Sequence, residues 1–140
     1  MSSIIGKPLN RTDMMIKGII GTVIGDIDGS THEGKPVKTM RFDTLNKQST
    51  VTDDTVLTMA VAEWMLDRRN VSVADSLIKW ATLYPHAGYG SSFKRFLAEK
   101  KEMTPGSTHN GAAMRVSPVG LYAATLEEAL RLAKISAEVT

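Results

Sequence analysis

Thr52-Asp53-Asp54-Thr55 sets two adjacent carboxylates between two hydroxyls, just where Val56, Leu57, Ala60, Val61, Trp64 and Met65 begin an apolar face at helical spacing. The tetrad supports two readings. Threonine is a common helix cap, and acidic side chains in a first turn are favoured by unpaired N–H groups and the positive end of the macrodipole. Neighbouring aspartates also repel, and oxygen donors with no nitrogen or sulfur partner suit hard divalent cations such as magnesium, manganese or calcium. The chain has no cysteine, which removes a disulfide framework, a thiolate zinc site and a thiol nucleophile. Any metal would be held by oxygen or imidazole.

A second oxygen-rich stretch runs from Gly25 to Glu33 and contains Asp26, Asp28, Ser30, Thr31 and His32. On a helix, Asp26 and Asp28 project about 200° apart, so at most one of them serves a given site. Gly21, Gly25 and Gly29 fall four apart on one stripe, and each costs up to ~1 kcal/mol relative to alanine in a helix. The stripe is read either as tight helix packing or as a bare backbone beside a ligand. None of His32, His86 and His109 forms an i, i+4 pair of the kind that binds zinc on a helix. His109, beside Asn110-Gly111, is the best functional candidate among them.

These groups must be positioned by helices, because strand alternation is almost absent. Met15, Ile16, Ile19, Ile20, Val23, Ile24 and Ile27 mark a first helix after the cap candidates Thr12 and Asp13. The polar stretch from Ser30 to Val51 is longer than most structureless loops. A second helix starts at Thr52 and closes near Arg68-Arg69-Asn70. A third follows Ser72, with Leu77, Ile78 and Ala81 inward, and ends near Tyr84-Pro85. Ser91 to Lys100 carries Phe93, Phe96 and Leu97 at helical spacing. Ala112 to Tyr122 is helical with a bend or restart at Pro118. Thr125 and Glu128 make a capping box for a last helix, with Leu126, Ala129, Leu130 and Ala133 expected to face the core. That helix meets no glycine, asparagine or proline before Thr140, so the chain is expected to be cut from a longer fold.

With 140 residues, 42% hydrophobic and 23% charged, the chain suits one globular core and one all-α domain spanning 1–140. Seventeen basic and fifteen acidic side chains leave a formal charge of +2, too small a field to point to nucleic acid. No apolar run reaches the ~18 residues that cross a bilayer, and Met1 to Leu9 lacks the pattern of a signal peptide, so no membrane partner is expected. The expected location is cytoplasmic.

Four stretches in this order resemble the ADP-ribosylglycohydrolase family, the group that includes dinitrogenase reductase-activating glycohydrolase. They are Gly21 to Glu33, Val51 to Glu63 (V-T-D-D-T-V-L-T-M-A-V-A-E), Gly88 to Leu97 and His109 to Gly120 (H-N-G-A-A-M-R-V-S-P-V-G). The resemblance implies an all-α, orthogonally packed enzyme. It would use magnesium, with manganese as the alternative, to hydrolyse the bond between ADP-ribose and a protein side chain or small acceptor. It implies Thr52, Asp53 and Asp54 as metal ligands and Glu33 as the catalytic carboxylate. Gly90, His109, Asn110 and Gly111 would approach the ADP-ribose. Arg115 could meet a phosphate, although an internal ion pair fits a helical position better.

The family's second group of metal ligands, an Asp-x-Asp-Thr type motif near the C-terminus of a longer chain, has no counterpart here, since no aspartate follows Asp75. Three readings stay open. The chain is a hydrolase completed by another polypeptide or a second copy; or a truncated, inactive relative that binds ADP-ribose or metal; or a helical interaction module with structural caps. A missing half would leave apolar surface exposed, and self-association is then expected.

Overall fold

The computed structural model describes residues 10–35, 37–100 and 110–140. Among them there are seven α-helices and no strand, in keeping with the all-α class: α1 Arg11–Gly29, α2 Asp53–Leu66, α3 Val73–Leu83, α4 Ser91–Glu99, α5 Gly111–Met114, α6 Ser117–Tyr122 and α7 Leu126–Glu138. A 3-10 turn, Ser30–His32, extends α1. None of these helices is long and apolar enough to cross a membrane.

Helix starts follow local chemistry. Thr52 caps α2 by accepting from Asp54 N–H, Ser72 caps α3 by accepting from Asp75 N–H, and Thr125 caps α7 by accepting from Glu128 N–H. The cap of α1 is Asn10, which accepts from Asp13 N–H, so the helix begins slightly before the expected Thr12-Asp13. The break expected at Pro118 falls earlier, at Arg115-Val116. Proline is tolerated in a first helical turn, and Pro118 occupies that place in α6.

The core is built round α2. Its residues Val56, Leu57, Ala60, Val61, Trp64 and Met65 are all buried, and they meet Leu77 and Ala81 of α3, Phe93 and Phe96 of α4, Val119 of α6 and Leu132 of α7. Polar ties fix the periphery. Glu63 on α2 accepts from Trp80 Nε1 at 2.9 Å and from Lys79 Nζ, joining α2 to α3. Arg68 just past α2 pairs with Glu128 of α7 at 2.9 Å. Arg11 Nη2 donates to the carbonyls of Tyr122 and Ala123, which anchors α1 to the end of α6.

Two faces differ from expectation. In α7 the expected inward residues Leu126 and Leu130 point outward, 76% and 64% exposed, while Leu132, Ser136 and Val139 are buried. Only Ala129 and Ala133 pack against the core as expected. In α1 no residue is buried at all. Its contact with the body is on the side of Gly18, where an added Cβ would lie 2.9 Å from Leu121 Cδ1 of α6. Ile16, Ile20 and Ile24 lie on its open side, each just over half exposed.

Candidate active site

The site is assembled where α1 meets the start of α2. Asp26 on α1 accepts at Oδ2 from the N–H groups of Thr52 (3.0 Å) and Thr55 (3.3 Å), and at Oδ1 from the Thr52 hydroxyl (2.5 Å). A carboxylate from one helix thus closes the N-terminus of the next, where unpaired amides and the macrodipole favour negative charge. The Thr52 hydroxyl in turn accepts from Asp54 N–H at 3.2 Å. Thr52 is therefore bound into the helix start, and the capping reading of the tetrad accounts for its side chain.

Asp54 and Asp53 point to different neighbours. Asp26, Glu33 and Asp54 each offer an oxygen, and these three atoms lie within 4.8 Å of one another. Glu33 reaches this cluster from the extended residue that ends the 3-10 turn. Asp53 is outside the triad and faces the Gly88 turn. A Cβ on Gly88 would stand 3.9 Å from Asp53 Oδ1, and the φ of +95° there is one that favours glycine. Thr52 also stands outside the triad.

Glu33, Asp53 and Asp54 nonetheless share one cavity of about 390 Å³. Leu57, Phe93 and Met114 supply apolar wall, and Gly90, Ser91, Ser92, Asn110, Gly111 and Arg115 complete the polar side. Three of the four residues expected at the substrate, Gly90, Asn110 and Gly111, therefore line the same hollow as the acids. The fourth, His109, lies outside the described residues. His86 is exposed in its turn, while His32 packs edge-on against Phe42 at 5.3 Å and is not among the cavity residues. Gly90 caps α4 without a side chain, so the first N–H groups of that helix have no side-chain cap, and Gly90, Ser91 and Ser92 at this helix start line the cavity.

The electrostatics reflect crowding without a counter-charge. Burial, and then the charge of Asp54, push Asp53 up to about 6. Glu33 is raised by burial and then by Asp54 and Asp26, and Asp54 by burial and then by Asp26. No ion pair reaches these acids among the described residues. Tyr89, whose hydroxyl donates to the Tyr84 carbonyl at 2.8 Å, is pushed up to about 12 by burial and by Asp53.

Arg115 departs from the expected internal ion pair. It follows α5, is 1% exposed, and donates through Nη2 to the Ser136 carbonyl (2.6 Å) and the Thr140 hydroxyl (3.0 Å). No carboxylate pairs with it among the described residues. Its charge instead meets the carbonyl end of α7, which the helix dipole favours. Burial brings its guanidinium down to about 10.

The ADP-ribosylglycohydrolase family model matches residues 7–140, nearly the whole chain. The chain belongs to the ADP-ribosylglycohydrolase family. It is 31% identical over 125 residues to ADP-ribosylhydrolase ARH3 of Gallus gallus, a match covering 77% of this chain and 33% of that protein. It is 25% identical over 150 residues to ADP-ribosylhydrolase ARH3 of Xenopus tropicalis, covering 87% of this chain and 43% of that one. The chain thus spans less than half the length of these curated relatives. No solved structure matches it.

Sequence reasoning about this ADP-ribosylglycohydrolase-family chain undervalued Asp26, which both caps α2 and joins the acid triad. The available signal was an aspartate set between glycines on a helix that needs a close neighbour. Leu57 and Phe93 were read as core alone. Their second role as cavity wall follows from their places near the starts of α2 and α4, fifth and third residue respectively, which no helical periodicity reveals.

Proposed function

We propose that this chain carries the catalytic half-site of a hydrolase that cleaves the glycosidic bond between ADP-ribose and a protein side chain or small acceptor. The observation that carries the proposal is the convergence of Glu33, Asp53 and Asp54 with Gly90, Asn110 and Gly111 on one cavity. Residues more than seventy positions apart share a hollow whose one side is acidic and whose other side is backbone-rich.

The triad fits a hard divalent cation. Its donors are all oxygens, three of them lie within 4.8 Å of one another, and the raised carboxylates of Glu33 and Asp54 lack a counter-charge among the described residues. Asp26, Glu33 and Asp54 would hold magnesium or manganese, with Asp53 and the Thr52 hydroxyl beside them. A cation there supplies charge neutralisation and orientation of ribose hydroxyls. The chain's own groups do the rest. The open amides at the start of α4 and the Asn110-Gly111 turn suit pyrophosphate oxygens. Leu57 and Phe93 exclude water from one wall. Glu33, exposed and with its proton affinity raised, takes the proton of the water that adds to the anomeric carbon, the acceptor departs with the electron pair of the broken bond, and Glu33 returns the proton to it.

The test is release of ADP-ribose from an ADP-ribosylated protein, with magnesium and with chelator, beside Asp53→Ala and Asp54→Ala. The expected outcome is magnesium-dependent release lost in both variants. Release insensitive to chelator and to both substitutions overturns the proposal. Magnesium-dependent ADP-ribose binding without release, read by calorimetry, would identify a binding relative instead.

A further inference from the structure

A separate groove of about 350 Å³ lies between the second half of α3 and α4, and it shares no lining residue with the acid cavity. The chain alternates between the two hollows. Gly88 and Gly90 line the acid cavity while Tyr89 lines the groove, and on α4 Phe93 lines the first while Lys94 and Leu97 line the second. The groove's walls are apolar: Ala81 and Tyr89 are buried, Ile78 and Leu97 half-buried, and Pro85 adds to them.

Its hydroxyls already donate within the protein, Tyr89 to the Tyr84 carbonyl at 2.8 Å and Thr82 to the Ile78 carbonyl at 2.7 Å. That leaves the ammoniums of Lys94 and Lys100, both exposed and neither in an ion pair among the described residues. No acidic side chain is among the described residues of the lining. Lys100 comes to the groove from an unusual backbone. It ends α4 in the left-handed region, with φ +49°, and its N–H donates to the Phe96 carbonyl at 2.9 Å. Such a helix end ordinarily takes glycine, because a β-carbon disfavours the conformation. A cation is thus brought to the groove at a conformational cost, which is a pointer to use.

We propose that this groove binds a small organic monoanion with an apolar body, an alkyl carboxylate. Its chain lies on Ala81, Leu97 and the Tyr89 ring, and its carboxylate sits in the field of Lys94 and Lys100. Apolar walls with a few convergent polar groups are the usual make-up of a small-molecule site, and the volume falls in the usual range. An uncharged protein surface laid over the groove would instead bury two ammoniums without a partner, at a high desolvation cost. A carboxylate supplies the missing charge. The site stands apart from the acid cluster and does not rest on the proposed hydrolase activity, so its tests read binding alone.

Octanoate and octanol, titrated calorimetrically into the full chain, separate charge from apolar contact. Octanoate should bind, and more weakly as salt rises, since exposed charges are screened over about 10 Å at ~0.1 M. Lys94→Gln and Lys100→Gly should each weaken octanoate about two- to fivefold, as loss of an exposed ion pair does, and leave octanol unchanged. Glycine suits the left-handed residue, so Lys100→Gly should hold or raise the melting temperature, and its effect on binding is then no loss of fold. Thr82→Trp, at an exposed position of α3, fills the groove and should weaken both ligands about tenfold or more. No octanoate binding up to millimolar concentration overturns the proposal. Octanoate binding indifferent to salt and to both lysine variants overturns it as well, and so does binding that survives Thr82→Trp intact, which would put the ligand elsewhere.

Discussion

The carboxylates of the scaffold and those of the site experience opposite environments. Glu63 accepts from Lys79 and Trp80, and Glu128 accepts from Arg68 and from Ala124 N–H at 2.8 Å; these partners hold both acids below the usual carboxylate range. Asp26, Glu33, Asp53 and Asp54 crowd one another, and the last three are all raised, first by burial and then by a neighbouring carboxylate. The scaffold acids stabilise the fold as ions. Glu33, Asp53 and Asp54 oppose it as ions, so their place in the cluster is kept at the expense of stability, as arrangements poised for binding commonly are.

The largest expected effect breaks this contrast at one atom pair. Asp54→Asn should lower magnesium affinity about 100-fold or more, since even outer-shell changes at metal sites cost about 10–100-fold. It should leave the melting temperature of the metal-free protein unchanged or higher, because it removes a repelling charge. Calorimetric titration and thermal melts check the two halves separately. A variant that binds magnesium as tightly as the parent would show that the triad is not the metal site.

Asp26→Ala comes next and should fail in both respects. Three hydrogen bonds to the start of α2 are lost, one of them from the largely buried Thr55 N–H end of the core helix, so stability should fall by about 2–3 kcal/mol. Magnesium affinity should fall with it. Denaturant titration that finds less than about 0.5 kcal/mol would mean that α2 is capped adequately by Thr52 alone.

Acidity should separate the two groups of carboxylates by sign. A folded-state pKa raised above its unfolded value means that the native protein holds protons which the unfolded chain has already released, so stability rises as pH falls. For Asp53 the window runs from about 6 down to the ordinary 3.8. The metal-free protein should therefore gain stability between pH 7 and 5, on the order of 1 kcal/mol after solvent screening is allowed for. Below that window the depressed Glu63 and Glu128 take over, and their stabilisation is lost as they protonate. Thermal melts across pH should show a maximum on the acid side of neutrality. Saturating magnesium should move it upward, because cation and proton compete for the same oxygens.

What the sequence disclosed and what it withheld divide along the range of the interactions. Thr52, Ser72 and Thr125 were legible as helix starts because a cap bonds to amides within three residues. The all-α class was legible for the same reason, as periodicity is local. The inward face of α7 was not. Leu126-Leu130 and Leu132-Ser136-Val139 are both plausible helical faces, and only the position of Arg115, which donates to the Ser136 carbonyl, selects the second. In the site, Glu33, Asp53, Asp54, Gly90, Asn110 and Gly111 were readable through the family's motifs, and the structure gathers them round one cavity. Which carboxylates stand together was not readable. That depends on Asp26 crossing to Thr52, 26 residues away, and on the return of the chain from the turn at Glu33.

The smallest predicted effect distinguishes the two sides of α1. Alanine at Gly21 finds open space in the middle of a helix, so Gly21→Ala should stabilise the monomer by about 0.5–1 kcal/mol through helix propensity and a less flexible unfolded chain. Gly18→Ala gains the same propensity but presses on Leu121 of α6, so the two contributions offset and the net change should be near zero. Chemical denaturation measures both. Equal gains at both positions would mean that Leu121 yields freely and that α1 is seated loosely on α6. A loss at Gly21 would mean that the space beside it is not open in the folded chain.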